Sequence, residues 1–304
     1  MNGLDDLWDY DDPATSEARF RTAIEAAEAG GDPAAVDEAR TQLARTLGLQ
    51  GRFDEAHEAL DRVDTDHPAD DRIRVRARLE RGRAWRSSGD VAASITPFEG
   101  AWELARALGE DGLAVDAAHM LAIVDAPPGE AAWHERALEL ADTSPQPAAR
   151  RWRGSLWNNI GWARFDAGNL DNALTAFETA LGARREQGQP RETRVAEWCV
   201  ARCVRTLGRP AEALAVQERL AEETAAAGDP ESGFGAEEIG ECLLDLGRAE
   251  EARPYLARAA ELLGADAWLA GHEPDRIARL RRLGGADRDR AVRRPEAPPS
   301  TTPP

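Results

Sequence analysis

One spacing recurs five times along the chain and limits what it can fold into. A small residue is followed by Gly seven positions later, by Ala or Ser five after that, and by an apolar residue, in one copy Gln, four further on. The five copies run through Ala44, Gly51, Ala56 and Leu60; Gly82, Gly89, Ser94 and Phe98; Gly161, Gly168, Ala173 and Phe177; Ala201, Gly208, Ala213 and Gln217; and Gly240, Gly247, Ala252 and Leu256. Helical patterning flanks each central Gly on both sides, so each copy is predicted to be two antiparallel helices joined by a tight turn. The Gly takes the positive φ that ends the first helix, and the small residues let the two backbones approach. A lone hairpin of this kind cannot bury its apolar stripe, so neighbouring hairpins must stack on one another.

Trp157-Asn-Asn-Ile160-Gly161, with Gly168, Ala173, Phe177 and Ala180, resembles the tetratricopeptide repeat in its large, small and aromatic positions, and residues 233–259 are similar. The resemblance covers residues 34–264. It implies an all-α fold, a right-handed α-solenoid of about six hairpins, and a binding role set by surface residues. Successive central glycines lie 38 (51 to 89), 40 (168 to 208) and 39 (208 to 247) positions apart. The standard period is roughly 34, so helices or turns are extended, as in longer-period bacterial arrays. The 79 positions from Gly89 to Gly168 leave room for one degenerate hairpin, Leu113–Val124 and Ala131–Ala141, broken at Ala126-Pro-Pro-Gly129. Residues 1–33 are expected to hold a capping helix at 15–29, residues 265–283 a second capping helix from Glu273, and residues 284–304 a disordered Pro/Arg/Asp-rich tail.

Charge and composition exclude several functions. The chain of 304 residues carries 56 acidic and 38 basic residues, a net charge of −18, which argues against a nucleic-acid partner. Every basic residue is Arg, which removes Schiff-base lysine chemistry and lysine-containing phosphate loops. The start, Met1 to Tyr10, has neither a basic nor an apolar leader segment, and no stretch approaches a membrane span, so a cytoplasmic protein with no membrane partner is expected. Cys199, Cys203 and Cys242 are too few for a disulfide framework and offer three thiolates without a fourth ligand, so they are read as small buried hydrophobes. No cofactor or metal is expected. His134-Glu135 lacks the second His of a zinc protease, and the acidic loop Asp64–Asp71 lacks the Gly and Glu of a calcium loop.

The resemblance implies that the first helix of each hairpin lines a concave groove. Its geometry assigns to that groove Arg45, Arg83, Arg86, His119, Asn158, Trp162, Phe165, Trp198, Arg202, Arg205, Phe234, Glu237 and Glu241. Five Arg there suggest an anionic ligand such as an acidic peptide, held by planar bidentate contacts, and Trp162, Trp198 and Phe165 suggest an aromatic anchor. A Lys/Asn grip on a terminal carboxylate, which some relatives use, is not supported, because Trp198 and Cys199 stand where its bases would be. The expected function is a non-catalytic scaffold for a protein or peptide with an acidic segment. The alternatives are a regulatory sensor for a small ligand or signal peptide and, more remotely, an enzyme built around His119, Asn158 and Glu241.

Overall fold

The computed structural model describes residues 4–10, 12–66, 70–126 and 129–285. Among them there is no strand, and the helices fall into hairpins. A short 3-10 turn (Leu4–Leu7) precedes α1 (Pro13–Gly30). The first three hairpins are α2 (Pro33–Leu49) with α3 (Phe53–Asp61), α4 (Asp71–Ser87) with α5 (Val91–Leu108), and α6 (Asp111–Val124) with α7 (Gly129–Thr143). A one-turn helix, α8 (Pro147–Arg150), follows. Three further hairpins are α9 (Arg153–Asp166) with α10 (Leu170–Glu186), α11 (Pro190–Thr206) with α12 (Pro210–Ala226), and α13 (Gly233–Asp245) with α14 (Ala249–Ala265). Then come α15 (Ala267–His272) and α16 (Pro274–Leu283). The chain divides into two compact units, Met1–Leu156 and Trp157–Pro304.

Local chemistry sets the helix ends. Asp12 and Asp32 accept hydrogen bonds from the backbone N–H of Thr15 and Ala35, and Pro follows each as the first helical residue, where its missing N–H costs nothing. All five repeat glycines have positive φ. Gly168 shows why: at φ 75° it turns the chain so that its own N–H reaches Phe165 O and the N–H of Asn169 reaches Arg164 O. These bonds satisfy carbonyls that the end of α9 leaves open.

The hairpin interior explains the small residues. A Cβ added to Gly82 would lie 2.4 Å from the Phe98 ring, one on Gly161 2.5 Å from Phe177, and one on Gly240 2.5 Å from Leu256. Phe98, Phe177 and Leu256 are fully buried, and the homologous Leu60 lies in the same core as Ala44. Thus the large residue of the second helix, sixteen positions on, sits over the small residue of the first. Gln217 takes this place above Ala201; it is buried, its Nε2 reaches Trp198 O at 3.4 Å, and its Oε1 has no partner among the described residues.

The long period lies in the helices. In the second unit α10, α11 and α12 are each 17 residues long, while the turns 167–169, 187–189 and 207–209 hold three residues each. Against a repeat of roughly 34 the surplus of about six residues per hairpin is close to one extra turn in each helix.

The N-terminal α1 packs Phe20 into the core with Leu43, Leu47 and Leu60. At the other end α16 packs on α14, with Leu280 fully buried. The expected break at Ala126–Gly129 falls between α6 and α7, with Pro127 and Pro128 outside the described residues, as is the tail from residue 286. The short helices α8 and α15 were not anticipated from the sequence.

Candidate functional site

The sequence-assigned residues lie on α2, α4 and α6 of the first unit and on α9, α11 and α13 of the second, and ion pairs run from several of them to the next repeat. In the first unit Glu80, 6% exposed, takes Arg45 at 3.4 Å from α2 and Arg83 from its own helix, and Arg83 continues to Asp116 on α6. In the second unit Glu238, 1% exposed, is held by Arg205 at 2.9 Å and Arg202 at 3.3 Å, both on α11, and Arg205 also reaches Asp245 at 3.1 Å. Arg276 holds the buried Glu237 through both carboxylate oxygens, and Arg279 holds Glu241.

These contacts reassign most of the arginines that the sequence suggests for a ligand. A carboxylate as buried as Glu238 is tolerable only when paired, and Arg202 and Arg205 supply the pairing. Arg83 does the same for Glu80 and Asp116. Arg86, in contrast, is exposed and makes no ion pair among the described residues.

Arg202 also joins an aromatic ladder. Its guanidinium lies 5.6 Å from the Trp162 ring, 6.0 Å from Phe165 and 5.4 Å from Trp198, geometry that favours a desolvated cation. Trp162 packs on the buried Phe177 at 5.1 Å, Trp198 on Trp162 at 6.1 Å and Phe234 on Trp198 at 6.2 Å. The indole N–H of Trp198 donates to Phe234 O at 3.3 Å. Trp162, Trp198 and Phe234 stand 36 residues apart in sequence, fewer than the 39 to 40 of the repeat, so each sits about one helical turn earlier on its helix than the last, along α9, α11 and α13. The ladder ends on exposed surface: Phe234 is 38% exposed and Val195, one turn before Trp198, is 56% exposed.

His119, Asn158 and Glu241 each have another occupation. The His119 ring packs 5.1 Å from Trp152. Burial, reinforced by Arg83, His134 and Arg86 and opposed by Asp116, lowers its pKa to about 4, so the imidazole is neutral at pH 7. Asn158 Oδ1 accepts from the Cys199 thiol at 3.3 Å, and Glu241 is bound to Arg279. Cys199, Cys203 and Cys242 are buried and unpaired. Burial pushes the Cys199 and Cys242 thiols up to about 12, which leaves them protonated and unreactive at neutral pH. Among the described residues no cluster of three His, Cys, Asp or Glu is placed to hold a metal ion, and no helix is long and apolar enough to cross a membrane.

The sequence profile of the tetratricopeptide repeat matches residues 154–187, which are hairpin α9/α10. The chain carries the tetratricopeptide repeat. Two solved structures share the fold of its tetratricopeptide array. A tetratricopeptide repeat protein from Parabacteroides merdae superposes with a TM-score of 0.53 at 16% identity, covering 92% of this chain and 95% of that one. BtubC (BKLC) from P. vanneervenii superposes with a TM-score of 0.54 at 18% identity, covering 76% and 95%. No curated protein matches the chain significantly in sequence. A tetratricopeptide fold is in general a protein-interaction scaffold.

Two outcomes test this assignment of the face. Arg205→Met leaves the buried Glu238 with Arg202 alone and is expected to destabilise the protein by about 3 kcal/mol, whereas adding Glu238→Leu recovers most of the loss. Urea denaturation of the single and double variants measures it. His119 binds its proton near 4 when folded and near 6.5 when unfolded. Stability is therefore complete above pH 6.5 and falls as pH drops from 6.5 toward 4. Melting temperatures across that range should fall less steeply in His119→Phe than in the wild type.

Proposed function

We propose that the chain is a non-catalytic scaffold that holds a protein segment on its first-helix faces, and that the aromatic strip of the second unit anchors that segment. The strip of Trp162, Trp198 and Phe234, ending in the exposed Val195 and Phe234, is the observation that carries this reading. Aromatic and aliphatic side chains that are half desolvated before binding are the usual anchors of an interface, because covering them completes the burial at little entropic cost. The cation beneath them is already neutralised by Glu238, so the strip favours apolar side chains over acidic ones. The preference for an acidic segment, read from the arginines, then rests on the first unit, where Arg45 is loosely held and Arg86 makes no ion pair.

Capture from a lysate of the encoding organism, with protein identification by mass spectrometry, tests the strip. Val195→Glu combined with Phe234→Ala changes exposed side chains only, so circular dichroism should stay unchanged while a specific partner is lost by about tenfold or more, as for interface hot spots. Equal recovery by the variant, or no specific partner for the wild type, contradicts the reading.

A further inference from the structure

A second feature of the first-helix face lies in the first unit. A cavity of about 190 Å³ opens between α2 and α4, with Ala44, Ala84 and Met120 among its apolar walls and Arg45, Arg83, Arg86 and Glu80 among its polar ones. We infer that this notch receives the carboxylate of an acidic side chain on a docked protein segment. The inference deepens the scaffold reading but does not depend on the aromatic strip.

The argument begins with charge. Three guanidiniums line the cavity against one carboxylate. Arg83 is committed to Glu80 and Asp116. Glu80 is shared between Arg83 and Arg45, and the Arg45 contact, 3.4 Å through one nitrogen, is the longer of the two. Arg86 lines the same cavity without an ion pair among the described residues. Two guanidiniums therefore keep donors for an incoming anion, in the planar form suited to the two oxygens of a carboxylate. This surplus stands within a unit of 18 Arg against 31 Asp and Glu, net −13 over Met1–Leu156. An acidic side chain is repelled by most of that surface, so a local cationic notch fixes where along the segment an acid sits.

Shape narrows the ligand further. The space has room for a Glu or Asp side chain and opens to solvent on one side. A bare phosphate would leave Ala44, Ala84 and Met120 facing water, whereas the aliphatic stem of an acidic residue covers them. Leu49 at the rim is 50% exposed and extends the apolar contact to a neighbouring residue. Gly48 forms part of the wall, and a Cβ placed there meets nothing within 4 Å. A side chain at position 48 therefore has room at the notch wall.

That last fact supplies a blocking variant that leaves the fold intact. Gly48→Met fills the cavity, and replacing a helical Gly supports the helix. Short random peptides displayed on phage are selected against the wild type, Gly48→Met, and Arg45→Ala/Arg86→Ala. The wild-type pool should be enriched severalfold in Asp and Glu, and both variant pools should lose that enrichment, Gly48→Met at unchanged melting temperature and Arg45→Ala/Arg86→Ala at a lower one, since Glu80 then keeps only Arg83. A wild-type pool with no acidic enrichment overturns the inference, as does equal enrichment in the variants. Inorganic phosphate that raises the wild-type melting temperature, with no acidic peptide selected, overturns it too, since the notch then serves a free anion. Selection against Val195→Glu/Phe234→Ala separates the two sites: acidic enrichment that persists there upholds the notch whatever the strip binds.

Discussion

The fold depends on one contact repeated in five of the hairpins, a large side chain of the second helix seated over a small residue of the first. At Gly161 the Phe177 ring occupies the space a Cβ would need, so the backbone of α9 and the side chain of α10 meet directly. That approach fixes how far apart the two helices lie, and the glycine turn seven residues later fixes where the second begins. Everything on the outer faces inherits its position from this wedge. Trp162, next to Gly161, packs on Phe177, so the aromatic strip is built outward from the hairpin core.

The first helices of successive hairpins are thereby set side by side, and their facing positions must be filled. The chain fills them with Arg and acid in pairs that span 33 to 40 residues in sequence, one repeat apart. Burying Glu238 and Glu80 without such partners would cost several kcal/mol. The paired arginines are therefore first a structural requirement. In the second unit Arg202 and Arg205 are both paired, and beside them stands the aromatic strip. In the first, Arg45 is held at 3.4 Å through one nitrogen and Arg86 makes no ion pair among the described residues.

The hairpins were legible in the sequence because their signal has fixed spacing: small residue, Gly, Ala and large residue recur at constant offsets wherever the wedge recurs. The ion pairs were not, because an Arg read on its own helix shows a charged surface, while its partner lies a repeat away. Arg83 with Asp116 and Arg205 with Glu238 become visible only when the repeats are aligned and acids are sought opposite bases. That alignment does not show Trp162, Trp198 and Phe234 as one set, because their 36-residue steps are shorter than the repeat and shift each of them about a helical turn earlier than the last. His119 looked available because a lone His on a helix carries no mark of burial; its contact with Trp152 comes from a helix pairing that spacing does not encode. The short α8 and α15 lack the length that makes helical periodicity detectable.

The contact beneath all of this can be tested by converting one wedge into another that the chain already uses. Gly161→Ala places a Cβ against the Phe177 ring, and Phe177→Leu removes part of that ring; together they recreate the Ala44/Leu60 pair of the first hairpin. Unfolding free energies of the wild type, both singles and the double form a cycle. If the wedge sets the hairpin, each single is destabilised and the double is more stable than their sum by at least about 1 kcal/mol. Additive losses would contradict the account.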